Sequence, residues 1–172
     1  EELQEYYKKD TTFDEISVTF YEDTYSLYNL YRFAHYYEEA YGKYIWLKSG
    51  ASLVIEHTEA MTVIDVNTGS VLKKKRQEDT LFYQINREAA KEIARQIRLR
   101  NISGIIMIDF INMKDEKQKE KLLLLLENEC RKDRIHCNVV DMTALNLVEM
   151  TRSKVRRPLL EQITVCRKMQ KN

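Results

Sequence analysis

Two segments of the chain end alike. Thr62-Val63-Ile64-Asp65 and Ile106-Met107-Ile108-Asp109 each run apolar and rich in β-branched residues, then finish on a carboxylate. Between them Ala89, Ala90, Ile93, Ala94 and Ile97 recur at helical spacing, opposite Arg87, Lys91, Arg95 and Arg98. Strand, helix, strand over residues 62–110 is a right-handed crossover unit if the two strands pair in parallel. Such a unit needs a sheet with helical cover. It also brings both aspartates to the C-terminal ends of their strands, where open α/β sheets place their ligands.

The rest of the pattern extends that sheet. Residues 52–56 form a β-branched run joined to the first strand by His57-Thr58-Glu59-Ala60, and Asn67-Thr68-Gly69-Ser70 closes that strand with turn chemistry. Asn86 reads as the N-cap of a helix running to about Arg100. Gly104 opens a strand apolar on both faces, hence central. A second helix is expected from Asp115 to about Lys132, with Leu122, Leu126 and Cys130 in line, followed by strands near 137–140 and 147–150. Pro158 suits the start of a last short helix or turn. The fold class is α/β, or mixed α+β, with a mixed sheet flanked by helices.

Residues 1–45 differ, holding ten of the eleven tyrosines. Residues 16–21 alternate as a strand does; Tyr25, Leu27, Leu30, Phe33, Tyr37 and Tyr41 then recur at helical spacing up to Gly42. A tyrosine-rich helix can stack on bases, or form a packing stripe whose hydroxyls reach water.

Length and charge bound the rest. With 172 residues, one domain or one plus part of another is expected. The longest purely apolar run, residues 122–126, falls far short of the roughly 18 residues that span a membrane. The chain begins Glu1-Glu2-Leu3 and reads as an excised fragment, so a missing signal peptide says little. Cys130, Cys137 and Cys166 form no CxxC pair and suit reduced thiols in a cytoplasmic protein. Net charge is only +1, but residues 1–50 hold ten acidic and five basic side chains, whereas 151–172 hold seven basic and one acidic. That asymmetry suits either a polyanion site or solvated surface. A Gly-rich phosphate loop, a nucleophile elbow and an HExxH motif are all absent from the sequence.

Neighbouring strands lie about 4.8 Å apart, so Asp65 and Asp109 can share one small site. Two carboxylates that close repel unless a proton or a cation sits between them. Mg²⁺ suits the pair, since it accepts one or two carboxylates while keeping waters and meeting substrate phosphates. The competing reading is two aspartates that merely cap strand ends. Asn67 would point the same way as Asp65 and orient it or a phosphate oxygen, or serve simply as a turn residue.

Five ordered blocks resemble the ribonuclease E/G family: Trp46-Leu47-Lys48-Ser49-Gly50, residues 58–69 around Asp65, residues 86–100, residues 104–113 around Asp109, and Leu147-Val148-Glu149-Met150-Thr151-Arg152. The resemblance runs from about residue 16 to 160. It implies a DNase I-like catalytic subdomain over 46–160, preceded by a partial RNase H-like segment over 1–45 and followed by a basic tail, 161–172. It implies Mg²⁺ on Asp65 and Asp109, hydrogen-bond support from Asn67, and internal cutting of single-stranded RNA, often at A/U-rich sites and with preference for a 5′-monophosphate end. Hydrolysis with 3′-O leaving would yield 5′-phosphate and 3′-hydroxyl ends. RNA phosphates would be gripped by Lys73, Lys74, Lys75 and Arg76, and by Arg152, Lys154, Arg156 and Arg157, or these clusters are solvated loops. A homo-oligomeric parent protein is implied too, but Cys166 stands alone and zinc-mediated dimerisation does not carry over. The family often carries aspartates where Asn101 and Asn112 stand. Those two departures motivate the alternative, a catalytically degenerate RNA-binding or scaffold module.

Overall fold

The computed structural model describes residues 19–69, 78–162 and 164. Two compact units divide the chain, Glu1–His35 and Tyr36–Asn172. In the first, the tyrosine-rich stripe is not one continuous helix. Helix α1 (Leu27–Leu30), capped by Ser26, stops where Arg32 turns to a φ of +49°, and α2 (Phe33–Tyr41) restarts beyond it, running into the second unit. No residue of α1 is buried. The strand expected over 16–21 lies partly outside the described residues, and Thr19, Phe20 and Tyr21 carry no strand.

The second unit is a six-stranded mixed sheet. Its strands are β1 (Tyr44–Trp46), β2 (Ser52–His57), β3 (Met61–Asn67), β4 (Gly104–Asp109), β5 (Cys137–Met142) and β6 (Leu147–Arg152), in spatial order β1-β2-β3-β4-β6-β5. Helix α3 (Glu78–Leu99) connects β3 to β4, and α4 (Glu116–Cys130) follows. Only β3 and β4 run parallel among the described strands, as the crossover reading requires. β4 lies between β3 and β6 and is central in the sheet, with Ile106 and Ile108 buried and Ile105 exposed on the other face.

Alternation divides the sheet into two faces. Leu53, Ile55, Ile64, Val66, Ile106, Ile108, Val148 and Met150 face the helices and are buried. Against them α3 sets Ile85, Ala89, Ala90, Ile93, Ala94 and Ile97, and α4 sets Leu122, Leu126 and Cys130. Alanines in that stripe keep α3 close to the sheet. Each large buried side chain contributes about 1.5–3 kcal/mol.

Helix boundaries follow their caps. Asp115 caps α4, its carboxylate accepting from Lys117 N at 2.9 Å. Asn101, at φ +50°, ends α3: Ile102 N reaches back to Ile97 O at 3.0 Å, satisfying a carbonyl the helix would leave orphaned. The expected start of α3 needs correction. Asn86 is not its cap but lies mid-helix and fully buried, since the helix already begins at Glu78. Past Pro158 the chain makes a helical turn over 159–162.

Arg152 at the end of β6 is locked inside. Its side chain is 2% exposed, and the guanidinium donates to Asp133 Oδ2 at 2.8 Å, to Asn101 Oδ1 at 2.9 Å and to Ile102 O at 2.9 Å. Burial alone pushes the Asp133 carboxyl up, but the Arg152 hydrogen bond, the Ile135 N–H and the Arg152 and Arg98 charges outweigh it and hold its pKa below the usual value. The stabilisation is therefore present above the unfolded carboxylate pKa and is lost as pH falls through the depressed folded value. Asp133→Asn would strand the Arg152 charge in the interior. We expect a loss of about 3–5 kcal/mol in urea unfolding at neutral pH, with the difference from wild type narrowing in acid.

Candidate active site

The parallel register of β3 and β4 pairs Asp65 with Asp109. Both stand on the face away from the helices, Asp65 half-buried and Asp109 at the more open strand end. Although Asp109 is exposed as a residue, partial desolvation of its carboxyl, and then the Asp65 charge beside it, raise its pKa above the ordinary carboxylate value. A cation between the two would relieve that repulsion. Asn67, two residues on and on the same face, donates its amide Nδ2 to Asp65 Oδ2 at 2.5 Å. The three residues expected to act together are thus together.

The donor set fits a hard oxygen-loving ion. No group of three or more His, Cys, Asp or Glu could hold a metal among the described residues. Two carboxylates that leave most of a coordination shell to water and substrate oxygen match Mg²⁺ better than the closed N/S cages of structural zinc.

Two side chains of α3, Asn86, which the sequence marks only as a cap, and Glu88, fix the loops around this pair. Asn86 donates Nδ2 to Ile111 O at 2.7 Å and accepts from Ile111 N at 3.0 Å, clamping the backbone two residues past Asp109. Two residues along, Glu88 accepts from Lys48 N at 2.7 Å and Ser49 N at 3.3 Å, holding the β1–β2 loop. That loop meets the end of β3. A Cβ on Gly69, whose φ is +57°, would stand 2.6 Å from Gly50 O, so only glycine permits the approach.

The basic clusters are placed differently. Lys73, Lys74, Lys75 and Arg76 lie outside the described residues. Arg152 corrects its expectation: paired to Asp133 and buried, it offers no donor to a phosphate. Lys154, Arg156 and Arg157 are exposed, but they follow the β6 end that pairs with Gly104, whereas Asp109 pairs with Leu147. They stand about 17 Å from the aspartates, one strand length away. Asn101 lies at that far end too, its amide donating to Arg156 O at 3.1 Å and Arg157 O at 3.2 Å. An aspartate there could not donate to those carbonyls, so this departure belongs to a structural joint. Asn112 lies exposed in the loop after β4.

Residues 1–155 match the model of the Ribonuclease E/G family, and the chain belongs to that family. It is 42% identical to Ribonuclease G of Escherichia coli K12 over 133 residues, covering 77% of this chain and 27% of that protein. Ribonuclease G of Haemophilus influenzae is 43% identical over 133 residues, with the same coverage of 77% and 27%. Ribonuclease E of Nostoc is 42% identical over 115 residues, 67% of this chain and 17% of that protein. The chain thus spans about a quarter or less of the length of these curated relatives.

The Asn86 clamp is open to test. Asn86→Ala removes both partners of Ile111 and should cost about 1–3 kcal/mol, with faster amide exchange at Ile111. Asn86→Asp keeps the acceptor and loses the donor, so the Ile111 N–H should remain the better protected of the two variants.

Proposed function

We propose that this chain is the catalytic core of an endoribonuclease that hydrolyses single-stranded RNA with Mg²⁺ held by Asp65 and Asp109. The observation carrying the proposal is their direct pairing across β3 and β4, in a chain of the ribonuclease E/G family. A bound Mg²⁺ would supply Lewis acidity to the scissile phosphate and the attacking water. The protein's part is to hold and orient. Asp65 and Asp109 supply oxygen ligands, and the Asn67 amide fixes one oxygen of Asp65. Asn86 and Glu88 keep the adjoining loops in register. Protonating Asp109 would compete with the metal, since the burial and the neighbouring Asp65 charge that raise its pKa act on the same carboxyl that would hold the ion.

The parent protein is proposed as a cytoplasmic RNA-processing enzyme, homo-oligomeric, with the 73–76 cluster meeting RNA phosphates. Among the described residues no helix is long and apolar enough to cross a membrane. RNA contact by Lys154, Arg156 and Arg157 would be remote from the cut and would add salt-dependent affinity without choosing the site. The N-terminal residues 1–45 are proposed as part of an RNase H-like segment and 161–172 as a basic tail.

Asp65→Asn and Asp109→Asn test the reading in the parent protein with 5′-monophosphorylated single-stranded RNA. Each should lower Mg²⁺-dependent cleavage by 100-fold or more, on the order of what a lost metal ligand costs, while circular dichroism stays unchanged. A folded variant that still cuts at near wild-type rate would sink the assignment. So would wild-type cutting that persists in EDTA.

A further inference from the structure

The register that pairs the two aspartates continues across the sheet. Tyr44 pairs with Val54, Val54 with Asp65, Asp65 with Asp109 and Asp109 with Leu147, so these five residues form one row. In the next row Trp46 pairs with Ser52, and Ser52 with Asn67. Directly paired residues project to the same face. Tyr44 and Trp46 therefore stand on the open face with Asp65 and Asn67, two strand spacings away, roughly 10 Å.

Both rings are far more exposed than rings that serve a core. Tyr44 is 60% exposed and Trp46, the chain's single tryptophan, 73%. Tryptophan is ordinarily among the most buried side chains by area. Ile45 between them turns the other way and packs on the core, so β1 is anchored without either ring.

Charge differs across this face in how it is balanced. Towards β6 and β5 the row beside the aspartates carries Glu149 paired with Asp141, two like charges that repel a polyanion. Towards β1 the same row carries Glu56, whose charge is offset by its ion pair with Lys43. Lys43 Nζ lies 5.7 Å from the Tyr44 ring centre. The aromatic pair also borders a groove of about 840 Å³ that turns around the sheet edge towards α3, where Lys48, Lys91 and Arg95 mingle with Glu88, Glu92 and Glu129 and Arg95 is paired to Glu92. Lys48 and Lys91 are exposed and have no ion-pair partner among the described residues. Glu88 in the same groove is engaged with the Lys48 and Ser49 amides, which draws its carboxylate to the backbone.

We propose that Tyr44 and Trp46 form a base-stacking platform for the single-stranded RNA flanking the phosphate at Asp65 and Asp109. The proposal rests on the endoribonuclease reading and deepens it by adding substrate-binding residues. Aromatic faces stack with any base, so the platform selects unpaired strand over duplex rather than one sequence over another. A base held there is one whose partner strand has been excluded, and free lysines alongside take its phosphates.

The single tryptophan reports directly. In EDTA, where no cutting occurs, the chain is titrated with an end-labelled, unstructured RNA oligonucleotide. Label anisotropy measures binding, and Trp46 emission measures stacking. Emission should be quenched in step with binding, and a duplex of the same sequence should leave it unchanged. Trp46→Ala and Tyr44→Ala should each weaken binding about tenfold, as the loss of one stacked base implies, whereas Trp46→Phe should stay within a few-fold of wild type. RNA that binds with unchanged Trp46 emission, or equally to Trp46→Ala, overturns the platform and leaves the nuclease reading intact. Failure of the wild-type chain to bind RNA overturns the platform, whereas the nuclease reading falls only with the cleavage test in the parent protein. Emission that changes with protein concentration alone would make this edge a contact between copies and overturn the platform.

Discussion

A single stretch of parallel backbone pairing fixes what this site can do. The ladder from Met61 opposite Ile105 to Asp65 opposite Asp109 carries five residue pairs, and each is a constraint on the last. A slip of one residue would send one carboxylate to the helical face, among side chains that are fully buried. The cost of placing an unpaired charge there is large, so the apolar contacts of Ile64, Ile106 and Ile108 enforce the carboxylate pairing although none of them touches it. The hydrophobic core thereby specifies the electrostatics of the site.

Helix α3 extends that control to the loops. Asn86 and Glu88 lie two residues apart, one holding the chain after β4 and the other the chain before β2. Hydrogen bonds to main-chain groups fix a loop's path whatever its side chains, so the surrounding sequence can vary while the frame persists. At the other end of the sheet Arg152 does similar work, tying β6 to Asp133 and to the Asn101–Ile102 corner.

The strands and the second helix were legible because their signals are local and periodic. Leu122, Leu126 and Cys130 lie in line and are all buried. Gly104–Asp109 reads as central because it is apolar on both faces, and it is. The aspartate pair was legible because two strands ended alike on either side of one helix. What escaped was long-range. Asn86 looks like a cap, since asparagine is a poor interior helix residue, and only the fold reveals that Ile111 supplies its compensation. Arg152 looks like a phosphate ligand when counted among its basic neighbours, because nothing near it in sequence announces Asp133. The break at Arg32 leaves no mark in a stripe whose spacing continues across it. The strand that carries Tyr44 and Trp46 has no local signal, and only the register shows which residues share their rows.

The alternation along β3 has a further consequence for how such a protein can change. Positions 62, 64 and 66 answer to packing, whereas 63, 65 and 67 answer to solvent and ligand. Neighbouring codons therefore experience separate selective demands, one set punished for altered volume and the other for altered chemistry. A lineage can rework the open side of this sheet, ring by ring and charge by charge, without renegotiating the interior that keeps the strands aligned.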